Sequence, residues 1–256
     1  MEEELYRQLL LGIKNAGMED FNSFYVFDGN KCAFDCISNL ILSDDIEHQN
    51  QFIYLYGNEY CGKSHLLKIA FSEAQKKDYP AIYFDLSQYV DMDPGTILEG
   101  VEDLSVICID NVDKIKNSWE WQSELFSLYN RWMSRRSGAF IVAANDVADN
   151  VGFSKPDLIT RLLSGVTLEL EVVPLDLLPE LLVMREKWRG GELNIKQAKT
   201  LVNNFPNIVD CLKALDELDN MWMEKKIKYS FRRNEGKFQP KAFDEFIARF
   251  KNKLQK

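Results

Sequence analysis

Five short runs rich in β-branched and aromatic residues punctuate the first two thirds of the chain: Phe52 to Tyr56, Ala81 to Asp85, Leu104 to Asp110, Ala139 to Ala144 and Thr167 to Val173. Their length and composition predict strands. Between the first two, Lys63 to Lys77 sets Leu66, Leu67, Ala70, Phe71 and Ala74 on one helical face. Between the third and fourth, Trp119 to Arg136 carries Trp121, Leu125, Leu128 and Trp132 at spacings of four, three and four, the period of a helix pressed onto a sheet. This alternation predicts a parallel sheet with crossover helices on its faces over residues 21–173. Beyond Pro174 the strand signal stops, and Leu177 to Trp188, Ile195 to Asn203, Asn207 to Lys226 and Lys241 to Leu254 read as helices. Gly190-Gly191, Phe205-Pro206 and Asn234-Glu235-Gly236 punctuate them. The expected class is α/β, with a small all-helical domain at 174–256 and residues 1–20 as an amino-terminal arm.

Candidate chemistry concentrates in the α/β part. Gly57-Asn58-Glu59-Tyr60-Cys61-Gly62-Lys63-Ser64 is a complete G-x4-G-K-S, placed directly after a predicted strand and opening a predicted helix, the context that a P-loop requires. Its glycines let consecutive N–H groups and the helix amino terminus face phosphate oxygens, while Lys63 neutralises the β- and γ-phosphates and Ser64 ligates magnesium. The competing reading is a glycine-rich turn with a fortuitous lysine. Val106-Ile107-Cys108-Ile109-Asp110 is an apolar strand ending in a carboxylate, the Walker B pattern, with Asp110 holding magnesium through water. A second carboxylate commonly follows to polarise the attacking water, but the neighbour here is Asn111, and an amide cannot take that proton. Slow intrinsic hydrolysis is therefore expected. Asn145, which ends the fourth strand, either orients the water or γ-phosphate or forms a turn with Asp146. Arg161, in Pro156-Asp157-Leu158-Ile159-Thr160-Arg161-Leu162, either makes a surface ion pair or reaches a neighbouring subunit's nucleotide.

Composition narrows the function classes. With 256 residues, 46% hydrophobic and 12% aromatic, the chain can bury a substantial core, which excludes a disordered or fibrous protein. Its net charge of -9 argues against a protein devoted to gripping nucleic-acid phosphates. Charge is uneven, however: residues 224–256 carry +7 and the remainder -16, a tail that reads as a solvated helix face or as a contact for DNA or an acidic partner. Met1-Glu2-Glu3-Glu4 lacks the marks of a signal peptide, and no run approaches 18 uncharged apolar residues, so no membrane is expected and a cytoplasmic location is. The five cysteines, Cys32, Cys36, Cys61, Cys108 and Cys211, read as reduced and mostly buried. With only His48 and His65 as histidines, Cys32-x3-Cys36 has no second ligand pair, and no zinc site is expected.

Taken in order, the motifs resemble the DnaA-type initiator family of AAA+ proteins, and within it the small Hda-type regulators, from about Gln8 to Asp219. The residues that carry the resemblance are Phe21-Asn22-Ser23-Phe24-Tyr25-Val26, like the family's F-x-x-F-x-V ahead of the first helix; the P-loop continuing as Lys63-Ser64-His65-Leu66-Leu67; Val106 to Val112; Leu128-Tyr129-Asn130-Arg131; and Pro156 to Leu162. The resemblance implies an AAA+ P-loop domain with a helical lid, binding ADP or ATP with Mg2+ through Gly57, Gly62, Lys63, Ser64 and Asp110, with Asn145 as the first sensor. Tyr25 and Val26 match the segment that packs near the base, although core packing alone also explains them. It further implies docking on the ATP-bound DnaA initiator, with Arg161 as an arginine finger acting in trans to trigger hydrolysis there and so prevent re-initiation. The family's initiator carries a further DNA-binding domain beyond the lid, so sequence-specific DNA binding is not expected of this chain.

Hda-type proteins also share an amino-terminal peptide that docks on the sliding clamp, the β subunit of the DNA polymerase. The corresponding string is Gln8-Leu9-Leu10-Leu11-Gly12-Ile13, with Gln8, Leu9, Leu11 and Ile13 as clamp-binding residues; Leu5, Leu9, Leu10 and Ile13 equally form an amphipathic helix packed on the body. Gly12 weakens that helix. One departure stands out: Asn207 to Leu215 aligns with the family's sensor helix, but Val209 replaces its arginine, and valine cannot bond a phosphate. Two other classes share part of this pattern: a DnaA-like helicase loader, which would assemble with further copies of itself or bind a helicase, and a nucleic-acid-binding module resting on the basic tail.

Overall fold

Strands whose residues are apolar on both faces have to be covered on both faces, and the chain does so with a three-layer arrangement. The computed structural model describes residues 19–191, 193–226 and 240–254. The chain forms two compact units, divided in sequence between Val172 and Val173. In the first, β1 (Asn50–Tyr56), β2 (Ala81–Asp85), β3 (Val106–Asp110), β4 (Gly138–Ala144) and β5 (Val166–Glu169) form one sheet in the order β2-β3-β4-β1-β5. Every neighbouring pair is parallel. The helices are α1 (Asp28–Leu42), α2 (Lys63–Lys76), α3 (Pro94–Leu98), α4 (Trp119–Arg135), α5 (Ala148–Val151) and α6 (Pro156–Leu162).

Alternation along each strand feeds two cores. Ile53 and Leu55 of β1 join Ala33, Ile37, Leu66 and Ala70 of α1 and α2 on one face. Phe52 and Tyr54 join Trp121, Leu128, Trp132, Leu158 and Leu162 of α4 and α6 on the other. Trp132 meets Phe140 with ring centroids 5.5 Å apart at 77° and Phe52 at 6.3 Å, edge-on and tilted geometries that suit the ring quadrupoles. Each fully buried side chain of this size stabilises the fold by roughly 1.5–3 kcal/mol. Ser118 caps α4, its hydroxyl accepting from the Trp121 N–H at 3.3 Å.

Strands β1, β4 and β5 start one or two residues earlier than the sequence pattern, at Asn50, Gly138 and Val166, and two further differences have a local cause. The third strand starts at Val106 instead of Leu104, because Val101–Asp103 forms a 3-10 turn that takes the Leu104 N–H. The fifth ends at Glu169 instead of Val173: Leu170 still donates to the Tyr56 carbonyl at 2.8 Å, but the Glu171 N–H turns to the carbonyl of Gly29 on α1 at 3.0 Å. Helix α1 lies outside the strand-helix alternation read from the sequence.

The second unit is helical: α7 (Leu178–Trp188), α8 (Ile195–Asn204), α9 (Ile208–Lys226) and α10 (Pro240–Leu254). Its own core contains Leu178, Leu182, Leu201, Phe205, Leu215 and Phe246. Asn194 and Gln197 form a reciprocal capping box on α8 at 3.0 and 3.1 Å. Within the basic tail, α10 buries Phe243, Phe246, Ile247 and Phe250 and leaves Arg249, Lys251 and Lys253 exposed. Cys61, Cys108 and Cys211 are buried, Cys36 half-buried and Cys32 exposed, all as free thiols. Among the described residues no helix is long and apolar enough to cross a membrane.

Candidate nucleotide site

The loop from Gly57 to Gly62 joins β1 to α2, and its curl depends on its two glycines. Gly57 sits at φ +152°, and a Cβ there would lie 2.1 Å from the Leu170 carbonyl oxygen. Gly62, at φ +104°, opens α2, and a Cβ there would press on the Phe24 ring at 3.2 Å. The first amides of α2 have no partner in the helix itself, which with the helix dipole makes an anion-binding end. Lys63 is only 6% exposed, and its ammonium donates to the carbonyls of Gly57 at 2.6 Å and Asn58 at 2.9 Å. The cation is thus held at the mouth of its own loop.

Sheet order fixes what faces this loop. Because β4 lies between β1 and β3, its carboxyl end sits between the loop after β1 and Asp110 at the end of β3. Ligands of open parallel sheets bind at these carboxyl ends. Asp110 is 1% exposed and accepts from the Tyr83 hydroxyl and the Asn111 N–H, both at 2.9 Å. The Ser64 hydroxyl, in the first turn of α2, is near enough to this carboxylate to favour its charged form. Burial raises the Asp110 carboxyl above the usual carboxylate range, against the pull of Ser64, Tyr83 and Asn111, with the Asp85 charge adding to the rise. Burial and the Asp110 charge likewise push the Tyr83 phenol up.

Asn111 adopts the left-handed conformation at φ +56°, and its amide donates to Asp85 Oδ1 at 2.7 Å. Burial would raise Asp85, but hydrogen bonds from Ser87, Asn111 and Gln88 outweigh it and hold this carboxyl below the usual range. Asn145 and Asp146 form a bend after β4, in which Asp146 Oδ1 accepts the Val147 N–H at 2.7 Å. Asn145 donates from its backbone N–H and its Nδ2 to the Asp113 carboxylate at 3.2 and 3.3 Å.

The segment before α1 is fastened to α2. Ser23 Oγ pairs with His65 Nε2 at 3.3 Å, and Phe24 lies between the rings of Phe34 and His65, each 5.6 Å away. Asn30, 2% exposed, takes the Phe27 N–H and donates to the Tyr25 carbonyl. Tyr25 is half-buried and Val26 is 38% exposed, so core packing does not account for Val26.

Arg161 lies elsewhere, on the face of the sheet opposite α2. It is exposed on α6, makes no ion pair among the described residues, and rests its guanidinium over Phe126 and Tyr129 at 6.0 and 5.8 Å. Val209 is half-buried in the first turn of α9, in the second unit. Gln8, Leu9, Leu11 and Ile13 fall outside the described residues. The sequence pattern does not single out Tyr83, Asp85 or Asp113, which the fold brings to these polar groups, although Asp85 ends an apolar strand just as Asp110 does.

The donor set fits a magnesium nucleotide. A hydroxyl and a carboxylate are hard oxygen ligands, and Mg2+ is commonly bound by one or two such groups together with phosphate oxygens. Among the described residues no group of three or more His, Cys, Asp or Glu side chains is placed to hold a metal unaided.

No protein-family model matches the chain. Among solved structures it is similar to domain III of the Thermotoga maritima replication initiation protein DnaA, at 18% identity and a TM-score of 0.71, covering 91% of this chain and 97% of that one. It is similar to AMPPCP-bound DnaA from Aquifex aeolicus, at 19% identity and 0.67, covering 93% and 70%. A RuvB variant from Thermotoga maritima matches at 14% and 0.62, covering 90% and 71%. The parallel five-stranded sheet with helices on both faces is thus the AAA+ P-loop fold that DnaA and RuvB share.

Proposed function

We propose that this chain is an adenine-nucleotide-binding AAA+ regulator of the Hda type, which docks on a DnaA initiator and promotes hydrolysis of the ATP bound there. The observation that carries the nucleotide reading is the buried Lys63 ammonium held by the carbonyls of a loop curled by Gly57 and Gly62, at the carboxyl end of β1 in the same parallel sheet as β3, which ends in Asp110. In this reading the loop amides and Lys63 hold the phosphates, Ser64 and Asp110 hold magnesium, and Tyr25 and Val26 border the base. Magnesium supplies charge neutralisation to the phosphates. That one solved DnaA of this fold carries AMPPCP supports a triphosphate as the ligand.

Action on a partner rests on Arg161. An arginine that is exposed, free of carboxylates among the described residues and backed by two aromatic rings is held ready without being neutralised. Clamp docking through Gln8, Leu9, Leu11 and Ile13 rests on the sequence resemblance. The test is hydrolysis of initiator-bound ATP with clamp-loaded DNA, with and without this protein. Wild type accelerates it, and Arg161→Ala loses the acceleration while binding nucleotide normally, since an arginine finger is worth roughly 10³ to 10⁵ in rate. Full stimulation by Arg161→Ala refutes the finger; no stimulation by wild type refutes the initiator as partner.

A further inference from the structure

The side chain after Asp110 is engaged by a neighbouring strand. Asn111 is committed to Asp85 at 2.7 Å, with its backbone in the left-handed region, and being an amide it takes no proton. Two residues on, the chain supplies a carboxylate. Asp113 lies in the 3-10 turn Val112–Ile115 after β3, is 14% exposed at its side chain, and receives both donors of Asn145, the residue after β4. The bonds are long, 3.2 and 3.3 Å, and a carboxylate has about four lone-pair sites, so acceptor capacity remains. Lys114 Nζ stands 3.5 Å off. Asp113 is also close enough to Tyr54, whose hydroxyl donates to the Asp146 carbonyl at 2.8 Å, that its charge helps raise that phenol. Asp113 is therefore held beside the end of β4 by Asn145.

Resting on the nucleotide reading above, we infer that Asp113 is the carboxylate that activates water for hydrolysis of ATP bound by this chain itself, with Asn145 fixing its orientation. In that step the water oxygen forms a bond to the γ-phosphorus as the bond from that phosphorus to the bridging oxygen of ADP breaks, its electron pair leaving with ADP. The water proton passes to the Asp113 carboxylate and then to solvent. The hydrogen bond to Asn145 positions the acceptor, and Asn111 is left out of the chemistry.

The test uses the full chain, with protein in excess over radiolabelled ATP, so that one turnover is read without product release. Fluorescent-nucleotide affinity and melting temperature are measured on the same preparations. Asp113→Asn keeps shape and one acceptor; its turnover is expected to fall roughly 100-fold or more, with affinity within about twofold of wild type. Asp113→Glu recovers part of the rate, and Asp113→Ser repeats the loss should the amide variant fail to fold. A wild-type rate in Asp113→Asn, or a protein that binds ATP and never hydrolyses it, overturns the inference and leaves the binding site standing. An accelerated Asn111→Asp with an indifferent Asp113→Asn assigns the proton to position 111 and also overturns it. A wild-type chain that binds no nucleotide overturns instead the P-loop reading beneath it.

Discussion

Replacing Gly57 by alanine tests whether the loop's curl is imposed by its surroundings. A Cβ at Gly57 would lie 2.1 Å from the Leu170 carbonyl oxygen, 3.1 Å from its carbon and 3.0 Å from Cys61 Sγ. The main obstacle is backbone, so no rotamer change relieves it. Leu170 is moreover tied to β1 by its N–H bond to the Tyr56 carbonyl at 2.8 Å. Two costs combine: a sparsely populated backbone conformation at about 1–3 kcal/mol and overpacking at about 1–3 kcal/mol. The expected destabilisation is therefore about 2–6 kcal/mol, and at about 2–4 °C per kcal/mol the melting temperature should fall by roughly 4–24 °C. Gly100→Ala is the control, because Gly100 has φ +71° with nothing within 4 Å of the added carbon, leaving only the left-handed penalty of about 1–2 kcal/mol. Denaturant unfolding at matched slopes measures both. If Gly57→Ala costs no more than Gly100→Ala, the close approach of Leu170 does not shape the phosphate loop.

Two further outcomes follow from the site and from the amino-terminal arm. Asp110 is raised by burial, and a carboxyl with a raised folded pKa contributes stability at low pH that is lost as pH rises through the folded value. Asp110→Asn should therefore raise the melting temperature at neutral pH, with the gain shrinking as pH falls and with magnesium-dependent nucleotide affinity reduced; a gain that grows on acidification contradicts the assignment. Replacing Gln8, Leu11 and Ile13 together by alanine should abolish clamp association with almost no change in melting temperature, because a peptide ligand spends no core packing. A packed helix would instead lose about 2–5 kcal/mol per buried side chain, and a triple variant that melts early yet still binds clamp refutes the ligand reading.

The parts legible in the sequence are those where one stretch of chain carries the whole signal. Strands β1, β3 and β4 are buried on both faces and so read as unbroken apolar runs. The P-loop glycines and Lys63 act through backbone and helix end within eight residues. Helix α1 is harder to read: it opens with Asp28-Gly29-Asn30, and the polar Asn30 and Ser38 interrupt its buried face. The hydrogen bonds around the site were not legible, because they join residues far apart in sequence. Tyr83 reaches Asp110 across 27 positions, Asn111 reaches Asp85 across 26, and Asn145 reaches Asp113 across 32. The parallel register that sets Asp85 beside Asp110 is a property of the folded sheet. For the same reason Asn111, adjacent to Asp110 in sequence, reads as the group beside the phosphate, whereas its left-handed backbone turns the amide toward Asp85.

Calorimetric titration of ADP and ATP with magnesium into wild type and Lys63→Ala tests the central claim most directly. Lys63 donates to two loop carbonyls, so its loss costs about 1–3 kcal/mol of stability, which the melting temperature reports independently. The account predicts one saturable site in the wild type, with stabilisation of roughly 2.7 kcal/mol at a ligand concentration 100 times the dissociation constant. It predicts no measurable binding in a still-folded Lys63→Ala. Equal binding by the two proteins, or none by the wild type, would contradict a nucleotide held by this loop.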